Sequence, residues 1–248
     1  MDKKNRILFL GCHLDNLDMD ETINYIDSRI AKGIFTQHVV VNVAKLVSMQ
    51  KNKELFNSVN NSDIINIDGM GVVWGANILG YKIKERVAGI DLFQGLLELS
   101  SKKKYPIFLL GSKQHIVKKT VSILKNKYQN LEISGYHHGY FWENEEEVVK
   151  KIKDSKAKIL FVAITSPKKE NFINKWKDEL GVEFVMGVGG TFDVISGKVN
   201  RAPEFIQKIG MEWLYRLLQE PRRMWKRYLY TNTAYSFLLL KEFFKGLR

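Results

Sequence analysis

Short apolar runs recur along the first two-thirds of the chain, each followed by an amphipathic stretch, and this alternation restricts the fold more than any other feature. Ile7–Leu10, His38–Val43, Asp63–Ile67, Ile107–Leu110, Leu131–Gly135, Ile159–Ile164 and Glu183–Val188 read as strands. Between them, Asp20–Lys32, Ala44–Phe56, His115–Tyr128, Glu145–Asp154 and Lys168–Leu180 read as helices. Asp20 is the expected N-cap of the first helix, with Ile23, Ile26 and Ile30 on one face. Strands apolar on both faces are buried on both, which calls for a mostly parallel sheet covered by helices. The expected fold class is therefore α/β: a Rossmann-like sheet with a C-terminal helical appendage. In such sheets ligands gather beyond the carboxyl ends of the strands, so the residues following each strand are the ones to inspect.

Four strand ends stand out. Asp68 closes one strand and opens Asp68-Gly69-Met70-Gly71, where it is placed either as a catalytic carboxylate or as a cap. The glycine spacing is not that of a dinucleotide-binding loop. Leu110-Gly111-Ser112 is either an ordinary turn or a place where a nucleotide approaches backbone. Thr165-Ser166-Pro167-Lys168-Lys169-Glu170 puts two lysines at a helix start, against the helix dipole. Gly187-Val188-Gly189-Gly190-Thr191-Phe192-Asp193 combines close-approach glycines with an aspartate that either caps or accepts from a base or sugar. The adjacent His137 and His138 should point to opposite faces of a strand and lack a third ligand at metal-binding spacing, while His13, His38 and His115 are isolated.

The character changes near Ser196, which divides the 248 residues into a 1–195 core and a 196–248 appendage. From Arg201 to Arg248 ten basic residues face four acidic ones, half of the net charge of +12. Trp213, Trp225 and Tyr228 are interleaved with Arg216, Arg222, Arg223, Lys226 and Arg227, in helices broken at Pro221. That pattern suits an anionic membrane surface or a nucleic acid, and equally a docked hairpin with a solvated basic face. The single cysteine, Cys12, allows no intrachain disulfide and fits a reducing cytoplasm. The apolar run Ile7–Gly11 is too short for a signal segment, and no run reaches the ~18–20 residues of a membrane span. The expected location is cytoplasmic, with the chain able to touch a membrane but not to cross one.

Four motifs in order carry a resemblance: Asp68-Gly69-Met70-Gly71-Val72-Val73-Trp74; Glu85-Arg86-Val87-Ala88-Gly89-Ile90-Asp91-Leu92; the Gly187–Asp193 loop with Ser196-Gly197-Lys198 and Arg201-Ala202-Pro203; and Glu212-Trp213-Leu214-Tyr215-Arg216-Leu217-Leu218-Gln219-Glu220-Pro221. Over about residues 42–228 the chain resembles the WecG/TagA/CpsF glycosyltransferases, which build teichoic-acid linkage units, capsules and other surface polysaccharides. The resemblance implies an inverting transfer from a UDP-sugar to an undecaprenyl-diphosphate-linked sugar, with no nucleic acid as partner. It implies Asp68 as general base, Asn42 in the same pocket and Arg86 at the departing diphosphate. Gly111, Gly189 and Gly190 would lie against the nucleotide sugar, and Tyr140 and Asp193 would contact the uracil. Arg216, Arg223 and Lys226 would close over the diphosphate as the appendage folds onto the core. No metal or other cofactor is expected, since cationic side chains take that role.

Two positions depart from the family pattern. Lys169 stands where many members have glutamine, and Val40 where many teichoic-acid members have threonine. Lys169 is expected to meet either a uronic acid carboxylate or the diphosphate. A homo-oligomer that covers apolar surface while the appendage is undocked is compatible with the composition. Two readings from other classes remain: a nucleic-acid-binding module, and a membrane-associated scaffold without activity.

Overall fold

The apolar runs assemble into one six-stranded parallel sheet, described here from a computed structural model covering residues 5–246. Its strands are β3 (Thr36–Val41), β4 (Ile64–Ile67), β5 (Ile107–Gly111), β6 (Ile133–His137), β7 (Ile159–Ala163) and β8 (Phe184–Gly187). They lie in the order β4-β3-β8-β7-β5-β6. After β3 the chain steps outward to β4, then crosses to β5 on the far side, so the winding reverses beside β3 and β8. A crevice opens at such a reversal.

Helices cover both faces: α1 (Met19–Ala31), α2 (Val43–Met49), α3 (Lys53–Asn60), α4 (Met70–Ile78), α5 (Gly89–Lys103), α6 (Gln114–Lys127), α7 (Glu145–Asp154), α8 (Lys168–Trp176) and α9 (Thr191–Ile195). The period-2 geometry of the strands sorts the core. On β7, Ile159, Phe161 and Ala163 face the side packed by α1, α5 and α6, whereas Leu160 and Val162 face the side packed by α7 and α8. On β4, Ile65 and Ile67 join Leu46 and Val47 of α2 on that second side. His38, buried within β3, bonds Asn66 of β4 at 2.9 Å, and burial pushes its pKa down to about 4, so it sits as a neutral structural group.

Several boundaries differ from those read in the sequence. The first apolar run belongs to a separate antiparallel hairpin, β1 (Arg6–Phe9) and β2 (Cys12–Asp15), not to the parallel sheet. Its Asp15 accepts from the Ile65 backbone N–H at 2.8 Å, which satisfies a donor on edge strand β4. Asp18, rather than Asp20, caps α1, in a reciprocal capping box with Glu21. The stretch 44–56 is two helices, because the Asn52 side chain accepts from the Leu55 N–H and starts α3 afresh. His138 lies beyond the end of β6, and its ring sits 4.3 Å from that of His137, tilted by 44°, rather than pointing away.

The appendage comprises α10 (Glu204–Lys208), α11 (Glu212–Gln219) and α12 (Pro221–Gly246). Pro221 opens α12, a position where its missing N–H costs nothing. The long helix packs on α2 and α4, and the Tyr235 hydroxyl donates to the Gly71 carbonyl at 3.0 Å. Among the described residues no helix is long and apolar enough to cross a membrane.

Candidate active site

A cavity of about 1280 Å³ spans the carboxyl ends of the strands and is roofed by the appendage. Every strand of the sheet contributes a lining residue at or just beyond its carboxyl end: Asn42 after β3, Asp68 after β4, Ser112 after β5, Tyr140 after β6, Thr165 after β7 and Gly189 after β8. Nine lysine and arginine side chains line it against three carboxylates, those of Asp68, Asp193 and Glu212. Together with the starts of α2, α5 and α8, this makes a chamber suited to a polyanion.

Parallel register sets the floor. Val41 of β3 pairs with Ile67 of β4, so the next residue on each strand, Asn42 and Asp68, emerge side by side. Asn42 caps α2 through the Lys45 N–H at 3.1 Å. Asp68 Oδ1 accepts from the Gly89 N–H at 2.9 Å, so the carboxylate caps α5, not the helix that immediately follows it. Burial raises the Asp68 pKa, opposed by the Gly89 bond and by the charges of Arg86 and Lys45, with Glu212 adding to the rise. A carboxylate made more basic in this way, yet still lining the cavity, has the properties of a general base.

Beside it lies a buried ionic cluster. Lys45 Nζ contacts Glu170 Oε1 at 2.7 Å, and Lys169 Nζ approaches the same oxygen at 3.4 Å. The two ammonium groups, despite its burial, hold the Glu170 carboxyl down at about 2. Burial and the neighbouring Lys45 charge pull the Lys169 ammonium down to about 8, although Glu170 and Asp68 favour its charged form.

The remaining residues singled out in the sequence divide between lining and support. Gly189, Gly190, Asp193, Tyr140, Lys169, Arg216 and Arg223 line the cavity. Asp193 takes Lys198 at 3.1 Å and the Ser112 hydroxyl at 3.4 Å, and Tyr140 is 66% exposed at the rim. Gly111 lies behind the wall: a Cβ there would stand 2.4 Å from the Ala163 carbonyl oxygen, so the packing of β5 on β7 requires the glycine, and Ser112 is the residue that reaches the cavity. Lys226 also falls outside the lining, over the Trp225 ring, and Arg227 takes its place. Arg86 is not among the lining residues; it is held in an ion pair at 2.8 Å with Glu212 of α11, which does line the cavity. Lys45 and Glu170 are buried site residues given no role in the sequence reading, whereas Arg201 and Arg227 belong to the cationic pattern of the appendage without an assigned contact. Arg201 binds Asp91 through two hydrogen bonds of 2.6 and 2.8 Å and comes within 3.7 Å of Glu212. Its presence in the Arg201-Ala202-Pro203 motif was the available signal.

The family model for the "Glycosyl transferase WecG/TagA/CpsF family" matches residues 7–248. The chain belongs to the WecG/TagA/CpsF glycosyltransferase family. Two curated relatives carry the name N-acetylglucosaminyldiphosphoundecaprenol N-acetyl-beta-D-mannosaminyltransferase. That of Bacillus subtilis is 36% identical over 219 residues, 88% of this chain and 83% of the relative. That of Bacillus spizizenii is 34% identical over 225 residues, 91% of this chain and 85% of the relative. The protein is thus a WecG/TagA/CpsF glycosyltransferase, and the cavity at the strand ends is its candidate active site.

Proposed function

We propose that this glycosyltransferase moves a sugar of the N-acetylmannosamine type from a UDP donor to a GlcNAc-diphosphate-polyprenol acceptor, inverting the anomeric centre. The acceptor class follows the names of the two relatives, which act on N-acetylglucosaminyldiphosphoundecaprenol. The observation that carries the chemistry is Asp68, a carboxylate of raised pKa on the floor of a strongly cationic cavity. Asp68 takes the proton from the acceptor hydroxyl as that oxygen attacks the anomeric carbon, while UDP departs on the opposite face. Asn42, beside it, orients the reacting sugars.

The departing diphosphate gathers charge, and the arginines provide for it. Arg216, Arg223 and Arg227 descend from the appendage into the cavity. Their planar forks match phosphate oxygens, which gives the reaction a means of neutralising charge from side chains alone. Arg86 reaches the same charge by leaving Glu212 for the diphosphate. Gly189, Gly190, Asp193 and Tyr140 form the nucleotide end. The exposed face of α12, with Trp225, Leu229, Phe237, Leu240 and Phe244, rests on the anionic membrane surface that holds the acceptor. A membrane-bound appendage would then be seated over the active site where the lipid substrate lies.

The test is transfer from a panel of UDP-sugars to a short-chain prenyl-diphosphate-GlcNAc, run beside Asp68→Asn. The variant should bind UDP and lose about 10²–10⁴-fold in kcat. Turnover in the variant within threefold of the parent would refute the assignment of the base.

A further inference from the structure

Five cationic side chains of the appendage line the cavity, and Glu212 is the single carboxylate among them. A carboxylate so placed repels the polyanion that the others attract. Its two oxygens are divided between two arginines. Oε2 accepts from Arg86 Nη1 at 2.8 Å, whereas Oε1 stops 3.7 Å from Arg201 Nε, beyond hydrogen-bond reach. That Nε is buried and has no hydrogen-bond partner among the described residues.

Arg201 is held so that it cannot turn to find one. Its Nη1 and Nη2 donate to the two oxygens of Asp91, in the first turn of α5, at 2.6 and 2.8 Å. With the planar fork fixed at that end, Nε stays directed at Glu212. A movement of Oε1 by about 1 Å would complete the bond. A buried donor left unmet is costly, and a second arrangement of Glu212 would satisfy it. The charges point the same way. Arg86 and Arg201 are balanced here by Glu212 and Asp91. A diphosphate that draws Arg86 away leaves Glu212 an unpaired anion beside it, and Arg201 is the cation next to hand.

We propose that Glu212 is a positioning residue that exchanges Arg86 for Arg201 when the donor's diphosphate binds, and takes Arg86 back as UDP leaves. The exchange rests on the proposed function, in which Arg86 serves the diphosphate. Glu212 itself touches neither substrate. In the resting enzyme it parks Arg86 and ties α11 to the core. In the loaded enzyme Arg201 holds its charge off the phosphates. As the competitor for Arg86, Glu212 limits how tightly the product is kept and so favours its release.

The test uses the full chain at low salt: parent, Glu212→Gln, Arg201→Met and the double variant. UDP binding is measured by calorimetry, and UDP inhibition by transfer rates. Glutamine keeps an oxygen for either arginine but carries no charge. Glu212→Gln should therefore bind UDP about tenfold more tightly, with product inhibition stronger and the donor KM lower by a similar factor. Arg201→Met deprives Glu212 of its second partner and should weaken UDP binding about tenfold. Once the carboxylate is gone Arg201 has nothing to hold, so the double variant should match Glu212→Gln rather than the product of the two effects. A carboxylate that only staples α11 to the core predicts weaker binding in each single variant and a further loss in the double. Unchanged or weaker UDP binding in Glu212→Gln would overturn the proposal and leave the UDP-sugar reading intact. So would a double variant that merely returns to the parent's affinity, which would place Arg201 on the diphosphate itself. A parent that binds no UDP would overturn the proposed function, and the exchange with it.

Discussion

Replacing Glu170 by glutamine tests the ionic cluster by stability alone, without reference to any substrate. The residue is 1% exposed, so little solvent screening softens its interactions. Its carboxyl falls from the ordinary 4.5 to about 2, and that difference corresponds to about 3 kcal/mol in favour of the folded state at neutral pH. Glutamine keeps the shape and an oxygen for Lys45 but leaves two buried ammonium groups facing each other. Breaking a buried pair in this way costs about 3–5 kcal/mol. Lys169, already down at about 8, relieves part of the repulsion by shedding its proton, which holds the loss near the lower end.

Because the folded-state pKa is depressed, the contribution of Glu170 is fully present above pH 4.5 and disappears as the pH falls toward 2. Urea unfolding of the parent and of Glu170→Gln should therefore differ by about 3 kcal/mol at pH 7. The gap should narrow steadily below pH 4.5. In a thermal melt at pH 7 the same loss is about 6–12 °C for a chain of this length. A difference under about 1 kcal/mol at pH 7, or one that stays constant down to pH 3, would refute the account of the cluster.

Two further substitutions probe how the appendage is fastened. In Gly75→Ala the new methyl would stand 2.1 Å from the Tyr235 hydroxyl and 3.0 Å from both Leu239 methyls, so the Tyr235 and Leu239 side chains must shift and the seat of α12 on α4 loosens. Limited proteolysis should then release the appendage while the circular dichroism of the sheet is kept; an appendage as resistant as the parent's would contradict that packing. Arg201→Met removes the two hydrogen bonds donated to Asp91 and the approach to Glu212, and should cost about 1–2 kcal/mol in urea unfolding, since both partners are partly exposed. A change below about 0.5 kcal/mol would mean the link is solvated and idle.

The sheet and the floor of the site were legible because both depend on local pattern. A strand of a parallel sheet must be apolar on both faces, so its end shows as the place where apolar residues stop, and Asp68, Ser112 and Gly189 all follow such stops; Asn42 lay inside the expected strand His38–Val43 and was marked only by the family resemblance. The hairpin β1–β2 and the break at Asn52 were not legible, since a four-residue apolar run has the same appearance in a hairpin as in a sheet. Gly111 shows a deeper ambiguity. A glycine at a strand end signals that something approaches the backbone, and here the approaching group is Ala163 rather than a ligand. Pairings across long stretches of chain left no trace at all: Glu170 is 125 positions from Lys45, and Glu212 is 126 from Arg86.

In the appendage, composition identified the cationic face and helix phase chose its members. Arg223, Arg227, Tyr230 and Thr231 recur at intervals of four, three and one, a single stripe on α12, and all line the cavity. Lys226 lies next to Arg227 in the chain but about 100° away around the helix, so equal charge gives it a different neighbourhood, over Trp225. The opposite case is the pair Lys168-Lys169, where a local rule was broken: cations at a helix N-terminus oppose its dipole. Lys168 escapes over the Trp142 ring, but Lys169 turns inward, is buried, and titrates early. Gly187 leaves room for the lysine stem, and Glu170 and Asp68 supply the negative charges that keep an ammonium group at this unfavourable place.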